Sequence, residues 1–221
     1  MKKAVVLLSG GLDSTTTLYL AKKKGYKCLA LTFDYGQRHK KEIEAAREIS
    51  RQAASPLKVI PLNLPWAKDA IIDKRKMLPK RRLKKIPQHI PSTYVSGRNT
   101  IFLSLALSYA ESIGARAIFI GANALDWSGY PDCTPDYFKV WTKLIKEGTK
   151  AGRQGKKIEI KAPLVDKTKK EIVELGKKLN VPFSLTWSCY TGGKFPCGWC
   201  DACQLRAKGF KEAAVADPLI A

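Results

Sequence analysis

Ser9-Gly10-Gly11-Leu12-Asp13-Ser14-Thr15 stands between an apolar run, Ala4-Val5-Val6-Leu7-Leu8, and the segment Thr16-Thr17-Leu18-Tyr19-Leu20-Ala21. The run before it predicts a buried strand and the segment after it predicts the first turns of a helix. Strand, glycine turn and helix start in that order make an anion site. Two glycines let the backbone turn sharply without side chains in a ligand's way. The free N–H groups of the helix start then face a negative charge, and the helix dipole adds to the attraction. Ser9, Ser14 and Thr15 add hydroxyl donors. Asp13 suits such a place when Mg²⁺ or an electrophile lies between it and a phosphate.

No lysine follows the glycines, so the loop is not of the G-x-x-x-x-G-K-[S/T] type. It resembles instead the SGG-x-DS pyrophosphate loop of the ATP pyrophosphatase superfamily, whose members activate a carboxylate, amide or similar oxygen by transferring AMP to it. The competing reading is an ordinary Gly-Gly turn of any α/β protein, but strand, loop and helix context agree with the anion site.

Outward from this loop the strand and helix signals alternate, which predicts an α/β fold with an open parallel sheet. Tyr26–Phe33, Leu57–Ile60, Ala117–Ile120 and Ile158–Ala162 are the further strands, making five. Helices are expected around Ile43, Ala46, Ile49 and Ala53, over Ile101–Ile113, over Asp136–Thr149, and from the Thr168/Glu171 capping box through Leu179. The Ile101–Ile113 segment is apolar on nearly all sides and is expected to be buried. Ligands of open parallel sheets lie beyond the carboxyl ends of the strands. That places Asp34-Tyr35-Gly36-Gln37-Arg38-His39 and the loop Gly121–Pro135 on the same side as Ser9–Thr15. Gly97-Arg98-Asn99 opens the Ile101 helix; Arg98 suits a phosphate or carboxylate and Asn99 suits a helix cap. Asn123, Asp126, Ser128 and Asp132, with Trp127 and Tyr130, suit a planar heterocycle: rings to stack, acceptors for ring N–H and amine groups. Trp127 and Tyr130 serve equally as core cover, and His39 equally as a surface residue. The Asn63–Pro91 segment, rich in prolines and basic residues, is expected to be an excursion over the mouth of the site.

The chain has 221 residues and 45% hydrophobic content, consistent with one domain over 1–221. Met1-Lys2-Lys3 leads straight into the first strand without a cleavage site, and no apolar run reaches membrane-spanning length; a cytoplasmic protein is expected. The net charge is +21, with 40 Lys+Arg against 19 Asp+Glu. Such a balance suits either nucleic-acid binding or a solvated lysine-rich surface. The second is favoured, because lysine predominates and no aromatics interleave the basic runs.

Near the C-terminus, Cys189, Cys197, Cys200 and Cys203 follow a C-x₇-C-x₂-C-x₂-C spacing. Two overlapping C-x₂-C pairs with a fourth cysteine suit four thiolates around Zn²⁺, a closed and therefore structural site; an iron–sulfur cluster is the alternative. The segment 186–210 is taken as this zinc-binding unit. Cys28 is expected to be a small buried strand residue and Cys133 a buried spectator.

Several stretches together resemble the 7-cyano-7-deazaguanine synthase family: Ser9 through Thr15, Asp34 through His39, Gly97-Arg98-Asn99-Thr100-Ile101-Phe102, Asp126 through Cys133, Pro163-Leu164, and Ser188-Cys189-Tyr190 with the Cys run. The resemblance implies an adenine nucleotide alpha hydrolase-like, Rossmann-like fold with helices on both faces of the sheet. It implies a ligase that takes 7-carboxy-7-deazaguanine, ATP with Mg²⁺, and ammonia, and a homodimer. Carried onto this chain, Leu8, Ser9, Gly10, Gly11, Leu12, Asp13, Ser14, Thr15, Thr16, Thr17 and Leu18 bind ATP. Asp13, Ser14 and Arg98 are catalytic, and Arg98, Asn99, Asn123, Asp126, Ser128 and Asp132 hold the substrate. Two other classes remain in view. A tRNA-modifying relative, of thiolase or lysidine synthase type, would use the basic charge directly, although no RNA-binding appendage is recognisable. A non-catalytic zinc and nucleotide binding module would bind ATP without turnover, although it would have no need of Asp13 and Ser14 together.

Overall fold

Alternate residues of the central strands divide between two layers of helices, the period-two signature of a sheet buried on both faces. In the computed structural model, which describes residues 1–67, 69–73, 75–78, 90, 93–123 and 129–220, β1 (Lys3–Leu7), β2 (Lys27–Asp34), β3 (Leu57–Pro61), β4 (Ala117–Phe119) and β5 (Glu159–Lys161) form one sheet. The order is β3-β2-β1-β4-β5 and every pairing is parallel. Val5, Leu7, Leu31, Phe33 and Ile118 face α3 (Arg98–Ser112) and α4 (Pro135–Gly148). Ala4, Val6, Cys28, Ala30, Ala117 and Phe119 face α1 (Leu12–Lys23) and α2 (Lys41–Gln52). A short helix, α5 (Lys150–Arg153), precedes β5. Helices α6 (Lys169–Lys178) and α7 (Asp201–Glu212) close a third apolar group around Leu164, Ile172, Val173 and Phe210.

The chain runs β1, β2, β3 outward, then crosses back to place β4 on the other side of β1. A parallel sheet that reverses its order this way opens a crevice at the carboxyl ends of the two strands flanking the reversal. Here those ends are the Ser9–Ser14 turn after β1 and the Ile120–Ala122 segment after β4.

Two helix starts differ from expectation. Helix α1 begins at Leu12, with Gly11 in extended backbone as its N-cap, so Asp13, Ser14 and Thr15 belong to the first helical turn. The positive end of the helix stabilises a carboxylate there. Thr15 and Thr16 are buried and tolerated because their hydroxyls donate to the Gly11 and Leu12 carbonyls, at 2.7 and 2.9 Å. Helix α3 begins at Arg98, and its N-cap is Gly97 at φ 62°, not Asn99. Asp132 supplies the missing acceptor: its Oδ2 takes the Asn99 backbone N–H at 3.1 Å. Nor is α3 buried all round. Leu103, Ala106, Leu107 and Ala110 are buried, while Thr100, Ser104 and Ser108 are exposed on the opposite side. Cys28 and Cys133 are buried as expected. The Thr168/Glu171 capping box is formed, with the Thr168 N–H donating to Glu171 Oε2 at 2.7 Å.

Candidate active site

A cavity of about 300 Å³ lies over the carboxyl ends of β1, β2 and β4, and its wall includes Ser9, Asp13, Ser14, Glu42, Arg98 and Lys169. That is the lower end of the size range for small-molecule sites.

The loop after β1 is shaped by close packing. Gly10 has φ 84°, and a Cβ there would lie 2.3 Å from the Glu42 carbonyl oxygen and 2.8 Å from the Ala46 nitrogen. Only glycine lets α2 approach this turn. On the other side, a Cβ on Gly121 would lie 2.9 Å from the Ser14 nitrogen, so the end of β4 lies against the start of α1. The Ser9 N–H donates to Ser14 Oγ at 3.2 Å, and the two hydroxyls are 3.0 Å apart. Leu8, Ser9, Gly11, Leu12, Asp13 and Ser14 line the cavity. Thr15, Thr16, Thr17 and Leu18 are fully buried along α1, behind the wall.

Asp13 is held by two groups. Lys169 Nζ lies 2.5 Å from its Oδ2, and Asn123 Nδ2 donates to the same oxygen at 3.2 Å. Oδ1 is buried with no hydrogen-bond partner among the described residues. Asn123 is therefore placed behind Asp13, fully buried, rather than on the cavity wall. Lys169 was absent from the residues picked out by motif. Its signal in the sequence is a lysine in the first turn of a helix, immediately after the Thr168 cap, where a cation opposes the helix dipole.

Across the cavity, Arg98 rises from the start of α3. Its Nη1 donates to the Tyr35 hydroxyl at 3.2 Å, and its guanidinium lies 5.8 Å from the Tyr35 ring centre and 6.0 Å from that of Phe102. Burial alone would lower its pKa, but the Tyr35 and Tyr130 phenols and Asp132 raise it; it stays a cation. No carboxylate forms an ion pair with it among the described residues. Phe33 stacks on Phe102, with ring centres 4.0 Å apart and planes at 10°, and Tyr35 meets Phe102 edge-on at 5.5 Å. An aromatic wall beside a half-buried cation suits a flat, anionic ligand.

Asn99 and Asp132 are joined to each other: Asn99 Nδ2 donates to the Asp132 carbonyl at 3.1 Å, alongside the backbone bond already described. Asn99 and Tyr130 line the cavity, and Asp132 braces Asn99 from behind. Asp126, Ser128 and Trp127 lie outside the described residues. So does the whole of the basic Lys80–Lys85 run; from the same excursion, Ile71 reaches the cavity wall, and Asp73 accepts from Arg38 through its carbonyl at 2.6 Å.

The C-terminal segment forms the remaining wall through Trp187, Ser188 and Tyr190. The Trp187 N–H donates to the Gly10 carbonyl at 2.9 Å, and Lys41 Nζ lies 4.3 Å from the Trp187 ring centre. Beyond it, Sγ atoms of Cys189, Cys197, Cys200 and Cys203 all lie within 4.8 Å of one another. Backbone N–H groups of Cys197 and Cys200 donate to the sulfurs of Cys189 and Cys197, at 3.3 and 3.4 Å. Hydrogen bonds from Cys200 and Cys203 lower the Cys189 pKa. The cluster is placed to hold a metal ion, with its sulfurs already braced as acceptors.

The buried Arg206 of α7 ties this segment to the body. Its Nε and Nη2 donate to Asp217 Oδ2 and Oδ1 at 2.7 and 2.8 Å, and Nη1 donates to Thr186 Oγ1 at 2.7 Å.

Known proteins share the fold. Among solved structures, NMN synthetase from Francisella tularensis aligns with a TM-score of 0.50 at 19% identity, over 97% of this chain and 73% of that one. A predicted tRNA methyltransferase subunit from Methanocaldococcus jannaschii aligns with 0.52 at 19% identity, over 80% and 75%. At that identity the likeness is one of fold. In sequence, the 7-cyano-7-deazaguanine synthase of Thermosynechococcus vestitus is 53% identical over 221 residues, 99% of this chain and 95% of the relative. That of Thermoplasma volcanium is 52% identical over 219 residues, 99% and 90%. The family described as queuosine biosynthesis protein QueC matches residues 3–214, and the chain belongs to that family.

Proposed function

We propose that the chain is a carbon–nitrogen ligase that converts 7-carboxy-7-deazaguanine and ammonia, at the expense of ATP, into 7-cyano-7-deazaguanine. One observation carries this reading. The phosphate-type turn with Asp13 and Lys169 shares a single cavity with the Arg98 and Phe102 wall, so groups suited to phosphate and groups suited to a flat acid face one space. Carboxylate oxygen is a poor leaving group until a phosphoryl or adenylyl group is placed on it. The Ser9–Ser14 turn and the start of α1 would hold the phosphates, with Lys169 neutralising charge that develops on the departing group. Arg98 would orient the substrate carboxylate or the phosphate joined to it. Asn99, with Asp126 and Ser128, would meet the guanine-like edge, while Asn123 and Asp132 would brace Asp13 and Asn99 from behind.

Asp13 Oδ1, buried without a partner among the described residues, fits a Mg²⁺ ion brought in with ATP, which would supply charge neutralisation at the phosphates. Four cysteine sulfurs around one point fit tetrahedral Zn²⁺. With all four positions taken by protein, its part would be to fix the segment carrying Trp187 and Tyr190. Among the described residues no helix is long and apolar enough to cross a membrane. We place the enzyme in the cytoplasm as a homodimer, which sedimentation at micromolar concentration tests.

The function is tested by following ATP consumption with and without 7-carboxy-7-deazaguanine and ammonium. Consumption that requires the deazaguanine and is lost in Asp13→Ala supports the reading. Consumption that instead requires tRNA overturns the substrate assignment.

A further inference from the structure

In the reaction proposed above, ammonia's nitrogen enters with three hydrogens and leaves, as nitrile, with none. In the first step the nitrogen lone pair forms the C–N bond, the C–O bond to the activated oxygen breaks, and that oxygen leaves with the electron pair; one N–H proton must go to a base. In the second, the amide oxygen is activated and departs in turn, while the remaining N–H pairs become the extra C–N bonds and two more protons are released. The cavity therefore needs a proton acceptor that is free when substrate is bound.

Among the described residues two carboxylates line the cavity, Asp13 and Glu42. Asp13 is engaged by Lys169 and Asn123. Arg98 and Lys169 are cations. His39 also lines the wall, with Nδ1 buried and without a hydrogen-bond partner among the described residues, but the charged groups acting on it are Cys189, Lys41 and Glu44 rather than Arg98. Glu42 lies in the first turn of α2, and its own carbonyl packs against Gly10, so it stands directly beside the phosphate-type turn. Its carboxylate accepts no hydrogen bond and forms no ion pair among the described residues, and no hydrogen bond joins it to the four cysteines.

We propose that Glu42 is the general base that takes a proton from the attacking ammonia nitrogen and then from the amide nitrogen as the activated oxygen departs; this rests on the ligase reading above. The charged and titratable groups around it agree. Burial, with a smaller push from Cys189 in the C-terminal segment and against the opposing pull of Arg98 on α3, raises its carboxyl to about 7. Tyr35, after β2, is also close, and its own pKa is raised by burial. A base poised near neutrality accepts and releases protons readily at working pH.

The test is Glu42→Gln, with Glu42→Asp as a second variant. Steady-state kcat for nitrile formation should fall about 100-fold or more in the Gln variant. KM for ATP and for the deazaguanine should stay within about threefold, because a base acts in the transition state and not on binding. The acid limb of the wild-type kcat profile, with an apparent pKa near 7, should vanish in Gln and persist, at lower rate, in Asp. ATP-dependent activation of the acid in the absence of ammonia should survive in both variants, which also reports that both fold. A Gln variant that keeps wild-type kcat, or keeps the acid limb, overturns the proposal alone. A wild-type protein that turns over ATP but yields neither amide nor nitrile overturns the ligase reading, and the role of Glu42 with it.

Discussion

Asp217→Asn would leave the Arg206 guanidinium buried without its counter-charge. Arg206 and Asp217 side chains are 3% and 6% exposed, and the pair is bidentate. The amide that replaces the carboxylate keeps one acceptor but turns a donor toward Arg206. Breaking a buried pair from one side costs about 3–5 kcal/mol, because the remaining charge stays desolvated. A protein of this length loses about 2–4 °C of Tm per kcal/mol. The expected loss is therefore about 6–20 °C in a calorimetric melt. The double variant Arg206→Met, Asp217→Leu removes both charges and should recover most of it, since replacing a whole buried pair by apolar side chains is often neutral. A single variant that melts within about 2 °C of wild type, or a double variant no better than the single, would refute the reasoning.

Lys169→Met should lower kcat about 100-fold with the fold intact, checked by steady-state kinetics beside a melt, because it removes the cation next to Asp13 and the developing phosphate charge. Cys200→Ser should lower the bound metal measured by elemental analysis and bring Tm down by at least about 10 °C, since a closed cysteine site contributes folding energy outright. Gly10→Ala should destabilise by about 2–3 kcal/mol in denaturant unfolding and weaken ATP binding, as the added Cβ meets the Glu42 carbonyl at 2.3 Å in left-handed backbone.

Much of the architecture was legible because each signal was local. Short apolar stretches gave all five strands to within a residue or two at each end, and the cysteine spacing gave a cluster that the fold closes to within 4.8 Å. Helix starts were less legible. Whether Asn99 or Gly97 caps α3 depends on Asp132, more than thirty positions away, which no local pattern contains. For the same reason Lys169 and Glu42 carry no motif of their own. They become cavity residues only when α6 and α2 pack beside the first turn of α1. Asn123 and Asp132 were legible as polar residues near the site. That they brace other side chains from behind the wall is a property of packing.

The central claim is that this cavity turns a carboxylate into a nitrile. Purified protein incubated with 7-carboxy-7-deazaguanine, ATP, Mg²⁺ and ¹⁵N-labelled ammonium tests it most directly by mass spectrometry of the deazaguanine. The account predicts 7-cyano-7-deazaguanine carrying the label, absent in Asp13→Ala. Recovery of the unchanged acid while ATP is consumed would contradict it.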